Sequence, residues 1–130
     1  MTEWEEKAAS LEKIELDLPT LNGTEKQIKW AESIRNEALR ICDLINDFQI
    51  SEIESDDNEG KSKQKYFNIK FKMKITRMLN TVNSAAFFID NRDYFTDFGK
   101  KVEKIDSSNC NWIKSRMLET FQKSKKLFKA

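Results

Sequence analysis

The stretch from Leu21 to Phe48 constrains the fold of this chain more than any other. Thr24 and Gln27 have the spacing of a capping box, in which the threonine oxygen accepts from an N–H of the first turn and the glutamine reaches back. A helix is therefore predicted to begin there. Behind this start, apolar residues recur every three or four positions along one face, at Ile28, Ala31, Ile34, Ala38, Ile41, Cys42, Ile45 and Phe48. The rest of the chain must supply partners for that face.

The composition predicts a single all-α domain over residues 1–130. A chain of 130 residues is long enough for one domain with a modest core. It contains one proline and three glycines, and 35% of its residues are charged, which favours long helices over a turn-rich sheet protein. We therefore expect a compact bundle of about four or five helices.

The segment that follows residue 65 fits two kinds of structure. Ile69, Phe71, Met73 and Ile75 alternate with lysines, as in a β-strand. A longer stripe at helical spacing covers the same residues and continues beyond them, through Phe67, Phe71, Ile75, Met78, Leu79, Val82, Ala86 and Ile89. We predict a helix, with a new cap at Asn83 or Ser84.

Residues 50–64 are predicted to form a flexible loop, because they are rich in charge and cannot build an apolar core. Asp56, Asp57 and Glu59 would give this loop an acidic surface. Such a cluster suits a metal ion or the mimicry of nucleic-acid phosphates, and a merely solvated loop is the alternative.

Charge is divided unevenly along the chain. Residues 1–60 hold 6 basic and 16 acidic residues, a net −10, whereas residues 61–130 hold 17 basic and 6 acidic residues, a net +11. One hypothesis is that the two halves neutralise each other across helix contacts. The other is a surface with an acidic and a basic pole, suited to charged partners.

Several classes of chemistry are excluded by what the sequence lacks. The chain has no histidine, which rules out histidine-relayed serine or cysteine catalysis and the usual zinc sites. No glycine-rich phosphate loop is present, so we predict no cofactor and no metal. Cys42 and Cys110 are predicted to be free thiols of a reducing compartment. We expect a cytoplasmic protein without a membrane partner, because neither an apolar run of membrane-spanning length nor a signal sequence is visible.

The predicted helix that spans residues 65–79 carries the candidate binding residues. Lys70, Lys74 and Arg77 share one face of it, close to Tyr66. Such a face suits a phosphate backbone through counterion release, or the carboxylates of the acidic half of the chain. Lys125 and Lys126, near the end of the last predicted helix, suit that helix terminus or an acidic partner.

Two blocks of the sequence resemble small proteins of bacterial phages and mobile elements, mainly Gram-positive. Residues 18–35, LPTLNGTEKQIKWAESIR, are similar to the pattern L-P-x-L-x-G-[ST]-x-K-Q-[IV]-x-W-A-x-x-I-R. Residues 84–92, SAAFFIDNR, resemble a second block in which paired aromatics precede I-D-N-R, although Phe87 and Phe88 stand where tryptophan is common. The blocks cover under a quarter of the chain. The resemblance implies a shared helical module and no particular activity.

The signature positions that the resemblance implies are Trp30, Arg35, Phe88, Asp90 and Arg92. We expect Trp30 and Phe88 to pack together, and Arg35 or Arg92 to pair with Asp90, so that the two blocks join two helices as an inert scaffold.

Three functions follow as hypotheses. The first is a non-enzymatic interaction protein of phage or mobile-element origin that engages a host protein or ribonucleoprotein, for example by inhibiting a defence nuclease as anti-CRISPR proteins do. The second is a nucleic-acid-binding accessory protein that uses helix 65–79 and the C-terminal lysines. The third is an enzyme in which Asp90 and Asp93 beside Arg92 perform acid–base chemistry. The sequence leaves the oligomeric state open.

Overall fold

A computed structural model describes residues 3–12, 18–93 and 104–128, with side chains as far as Glu119 and at Gln122. The helices in these ranges are α1 (Glu3–Glu12), α2 (Glu25–Ser51), α3 (Asn58–Thr81), α4 (Ala85–Asp90) and α5 (Cys110–Phe128). The prediction of an all-α bundle of four or five helices is confirmed. The alternation of Ile14, Leu16 and Leu18 predicts a brief extended segment, and the apolar residues from Tyr94 to Ile105 predict a short helix. Both segments lie largely outside the described residues. None of the helices in the described ranges is both long and apolar enough to cross a bilayer.

Helix α2 begins as its capping box predicts. The Thr24 hydroxyl accepts from the backbone N–H of Gln27 at 3.2 Å, and the Gln27 side chain accepts from the backbone N–H of Thr24 at 3.0 Å. The apolar face behind this cap is buried from Ala31 to Ile45. Helix α2 packs against α3 and α4, whereas α1 and α5 pack chiefly against α3.

Helix α3 begins earlier than expected, so the prediction of a flexible loop over residues 50–64 is wrong in extent. Residues 50 and 51 end α2, and only residues 52–57 lie between the two helices. The Asp57 carboxylate accepts from the backbone N–H of Gly60 at 2.9 Å and so caps α3. The lysines and glutamine that follow have good helix propensity, so the chain continues as a helix from this cap. The whole of α3, including residues 69–75, is helical, as the longer stripe predicts.

Helices α2 and α3 are joined by polar contacts beside their apolar core. Asn68 is only 5% exposed, and its amide donates to Asn46 at 3.0 Å. Gln64 donates to Asn68 at 3.0 Å and to Gln49 at 3.2 Å. Because buried amides are costly unless they are paired, this chain of side-chain hydrogen bonds fixes the register of the two helices.

The two sequence blocks meet where α2 and α4 begin. The backbone N–H of Asn22 donates to the Asn83 carbonyl at 2.7 Å, and that of Ala85 donates to the Asn22 carbonyl at 3.0 Å. Gly23, between them in space, has a φ of +151°, and a Cβ there would lie 3.1 Å from the Cβ of Ala85. Glycine is therefore required for this close approach. We call this contact region the α2–α4 junction.

Helix α4 starts at the predicted cap, since the Ser84 hydroxyl accepts from the backbone N–H of Phe87. Phe87 and Phe88 are both buried and meet edge to face at 5.5 Å between ring centroids. They complete one core that includes apolar residues of α2, α3 and α5, among them Ile41, Ile45, Ile75, Leu79, Ile113 and Met117.

Candidate nucleic-acid interface

The exposed side of α3 presents a line of cations. Lys63, Lys70, Lys74 and Arg77 are exposed and occupy helical positions i, i+7, i+11 and i+14. Phe67, at i+4 in the same line, is 48% exposed. At 1.5 Å per residue the line is about 21 Å long, and α3 carries no acidic residue after Glu59. We call these five residues the α3 stripe.

Other lysines of α3 contact the acidic half of the chain. The Lys72 ammonium lies 2.8 Å from the Asp43 carboxylate of α2. The Lys65 ammonium lies 2.7 Å from the Glu12 carboxylate of α1. These pairs agree with the hypothesis that the two halves neutralise each other. Lys65 and Lys72 lie beside the α3 stripe and are not part of it.

Aromatic rings lie at the N-terminal end of the α3 stripe. The ring centroid of Phe67 is 5.3 Å from that of Tyr66 and 5.9 Å from that of Trp4, and the Trp4 and Tyr66 centroids are 5.5 Å apart. Helix α1 supplies Trp4, which lies with Ala8 and Leu11 on the narrow apolar stripe of that helix and docks on α3. We call Trp4, Tyr66 and Phe67 the aromatic trio.

Lysines surround two of these rings. The Lys63 ammonium lies 5.5 Å from the Trp4 ring centroid, and the Lys7 ammonium lies 4.6 Å from the same point. The Lys70 ammonium lies 5.3 Å from the Tyr66 ring. Cation–π contacts of this kind are weak at exposed sites, about 0.5–1 kcal/mol. The lysines are thus positioned near the rings and can turn toward an anionic ligand at little cost.

The predicted binding residues of α3 are brought together by the structure. Lys70, Lys74 and Arg77 lie on one exposed face, as predicted. Lys125 and Lys126 belong to α5, but their side chains lie outside the described part of the structure.

Phe67 was expected in the apolar core, and that prediction is wrong. Each step of four residues rotates about 40° beyond a full turn. Phe67 is therefore about 80° away from the buried Ile75, with Phe71 between them. At the level of Phe67 the buried position of α3 is taken by Asn68. The ring partners of Phe67 are Tyr66, its neighbour in sequence, and Trp4, which is distant in sequence.

The predicted acidic surface is exposed at the turn before α3. Asp56, Asp57 and Glu59 are all exposed, but the Asp57 carboxylate is engaged as the helix cap. Within the described ranges, no group of three or more cysteine, aspartate or glutamate side chains is arranged to hold a metal ion. The only role that the structure assigns within this cluster is the cap at Asp57.

The prediction that Trp30 packs against Phe88 at the α2–α4 junction is wrong. Trp30 is 48% exposed and makes no ring contact with the buried Phe88. Instead, the Arg92 guanidinium lies 5.3 Å from the Trp30 ring centroid and donates to the Ile89 carbonyl at 2.7 Å. The two blocks are joined as expected, but Trp30 lies at the surface because α2 turns that side outward.

Arg35 is the buried cation of this region. It is 6% exposed and donates from Nη1 to the Pro19 carbonyl at 2.9 Å, while its Nε has no hydrogen-bond partner. Burial lowers the pKa of the Arg35 guanidinium, and Glu32 partly opposes that effect. The expected ion pair of Arg35 or Arg92 with Asp90 is absent among the described side chains. Arg35 instead ties residue 19 to α2.

The residues considered for acid–base chemistry do not form a charged cluster. Asp90 and Asp93 are exposed, and no described ion pair joins either of them to Arg92. Arg92 is directed to Trp30 and to the end of α4. Arg92 thus satisfies a backbone carbonyl near the end of the short helix α4.

A groove of about 430 Å³ lies between α1, α2 and α3 and includes Cys42 and Met73 in its lining. The two ion pairs of Lys65 and Lys72 lie at this groove. Burial raises the pKa of the Cys42 thiol to about 12, so this thiol stays protonated near neutral pH. Cys42 and Cys110 are free, as predicted.

No protein-family model, curated protein or solved structure matches this chain.

Proposed function

We propose that this protein binds nucleic acid through the α3 stripe. The observation that carries the proposal is a single exposed helix face with four cations in line and a half-exposed aromatic ring among them. The neighbouring Lys65 and Lys72 form ion pairs with α1 and α2. The four cations of the stripe are exposed, and α3 carries no acidic residue after Glu59.

The size of the stripe sets the expected salt dependence. If its four cations each neutralise one phosphate, the logarithm of the binding constant falls with the logarithm of salt concentration at a slope of about −2.8 for a single strand and about −3.6 for a duplex. Between 50 and 200 mM salt this is a loss of roughly 50- to 150-fold in affinity. If binding came from charges spread over the whole surface, the salt slope would not depend on these four residues.

The test compares charge reversals at matched positions. Lys70→Glu with Lys74→Glu should weaken binding more than tenfold at low salt and reduce the salt slope by about 1.4–1.8, since two phosphate contacts are lost. Lys26→Glu with Lys29→Glu makes the same change in net charge on exposed positions of α2. A carboxylate is favourable at residue 26 in the first turn, and Lys29→Glu removes only an exposed ion pair with Glu25, so this control should stay folded and bind as the wild type does.

Fluorescence anisotropy with labelled DNA and RNA measures both variants across salt. Equal loss in the two double variants would assign binding to net charge and not to the stripe. Absence of any binding at low salt would remove the proposal.

A second candidate is protein binding at the Trp30–Arg92 surface, which would suit an interaction protein of a phage or mobile element that engages a host defence nuclease. The observation that favours it is a half-exposed tryptophan stacked on an arginine where the two sequence blocks meet. Tryptophan and arginine are over-represented among residues that dominate protein–protein affinity.

Pull-down from a bacterial lysate treated with nuclease separates the two candidates. A protein partner of the Trp30–Arg92 surface should remain bound after nuclease treatment and be lost with Trp30→Ala but not with Lys70→Glu. The opposite dependence would assign the partner to the α3 stripe.

A further inference from the structure

We infer that the α3 stripe takes single-stranded nucleic acid, with one unstacked base lying on the ring of Phe67. This inference rests on the proposed function and adds the class of ligand to it. The observation behind it is the position of Phe67, which lies within the cationic line and contacts the other two rings of the aromatic trio beside that line.

A DNA duplex that contacts this face would not stack a base on an exposed aromatic ring. Its bases are stacked on one another, so a helix that lies along the backbone meets phosphates and sugars, for which lysine and arginine are suitable and phenylalanine is not. A single strand can turn its bases outward onto aromatic side chains while its phosphates contact cations. A single ring placed between cations on the α3 stripe matches the second arrangement.

The ring of Phe67 is held in place before a ligand arrives. Trp4 and Tyr66 contact it at centroid distances of 5.9 and 5.3 Å, and the Tyr66 ring stands at 74° to it. No cation of the described residues lies over Phe67, whereas Trp4 and Tyr66 both have lysines over their rings. Phe67 is also 48% exposed, whereas Trp4 and Tyr66 are half-buried, so it is the ring of the trio most open to a base.

Cations flank that open face along the helix axis. Lys63 precedes Phe67 by four residues and Lys70 follows it by three, which places them about 6 and 4.5 Å away along the axis. A nucleotide whose base lies on Phe67 would have its two neighbouring phosphates near these ammonium groups. Lys74 and Arg77 extend the same path toward the end of α3.

The experiment measures binding of an oligothymidylate and of a DNA duplex of matched length by the full chain. Wild type should prefer the single strand. Phe67→Ala should weaken single-strand binding by roughly 5- to 100-fold, the loss that stacking on one aromatic side chain supports, and should leave duplex binding unchanged. Phe67→Trp keeps a stacking surface and should retain single-strand binding. Circular dichroism verifies that each variant keeps its helices.

The outcomes separate the inference from the proposed function. Equal binding of duplex and single strand, lost with Lys70→Glu and Lys74→Glu but unaffected by Phe67→Ala, would overturn the single-strand inference and leave nucleic-acid binding in place. Failure of both ligands to bind at low salt would overturn both. Selective loss of single-strand binding in Phe67→Ala, with retention in Phe67→Trp, supports both.

Discussion

The α2–α4 junction and the α3 stripe are the two most distinctive regions of this molecule, and they are built from different interactions. At the junction, backbone groups of Asn22 and Ala85 are hydrogen-bonded and Phe88 is fully buried. Along the stripe, Lys74 and Arg77 are exposed to solvent. The junction is formed mainly by residues 18–35 and 84–92, whereas the stripe lies outside both segments.

From this difference we expect the junction to govern stability and the stripe to govern the binding of a ligand. Substitutions at the junction remove buried area and backbone hydrogen bonds, which govern the free energy of unfolding. Substitutions on the stripe change exposed charges, which contribute little to stability and strongly to the binding of polyanions. The predictions below test whether the two regions are separable in this way.

The largest effect is expected from a matched pair of phenylalanine substitutions. Phe88→Ala should lower the free energy of unfolding by about 3–5 kcal/mol, because it leaves a cavity in the core. Phe67→Ala should lower it by only about 1–2 kcal/mol, because half of that ring is already exposed. Urea unfolding followed by circular dichroism measures both. Equal losses would mean that the stripe is as much a part of the core as the junction is.

A smaller loss is expected from Gly23→Ala. The new Cβ would lie 3.0 Å from the Gln27 side-chain oxygen and 3.1 Å from the Ala85 Cβ, at a φ of +151°. Strained backbone of this kind costs about 1–3 kcal/mol in the free energy of unfolding. Thr24→Ala is the control in the same segment, since it removes only the cap and costs about 1 kcal/mol. A stabilised Gly23→Ala variant would show that residues 22 and 84 do not approach as closely as described.

The ion pair of Lys72 and Asp43 should contribute less than either of these. Both side chains are partly exposed, at 41% and 62%, so a double-mutant cycle to alanine should give a coupling of about 0.2–1 kcal/mol. Lys70→Ala combined with Asp43→Ala is the matched cycle for a stripe lysine and should give no coupling. A coupling of similar size in the second cycle would mean that the stripe also pairs with the acidic half of the chain.

The smallest effect comes from a turn that belongs to neither region. Asp106 accepts from the N–H and hydroxyl of Ser108 and from the N–H of Asn109 just before α5. Because these bonds favour the carboxylate, with the Ser108 side chain contributing most, the pKa of Asp106 lies below its ordinary value. The stabilisation is therefore present above the unfolded pKa of about 3.9 and is lost as pH falls through the lower folded value.

Thermal unfolding of wild type and Asp106→Ala across pH tests this dependence. The difference in Tm should be small near neutral pH and should vanish in acid. A difference that grew on acidification would contradict the direction of the pKa shift.

Local signals in the sequence predicted the local features of the fold. Thr24 with Gln27 and Ser84 mark helix starts, because a cap is formed by residues three apart in the chain. The helical stripe through Ile75 and Leu79 likewise identified α3 and its buried side. The start of α3 at Asp57 was not predicted, because a charged segment is interpreted as a loop unless its helix cap is recognised.

Features that depend on contacts between distant segments could not be predicted in the same way. The contact of Phe67 with Trp4 and the surface position of Trp30 beside Arg92 depend on how α1 and α4 dock, and periodicity contains no information about docking. Arg35 was expected to find a carboxylate and instead binds the Pro19 carbonyl. The basic face of Lys70, Lys74 and Arg77 could be predicted, but the aromatic ring among its cations could not.

Residue-resolved NMR titration of the isotopically labelled protein with an oligothymidylate tests the central claim most directly. Backbone amide shifts should change along the α3 stripe from Lys63 to Arg77 and at Trp4, while those of residues 22, 23 and 85 at the junction stay unchanged. Changes confined to Trp30 and Arg92, or no changes at low salt, would contradict the assignment of recognition to α3.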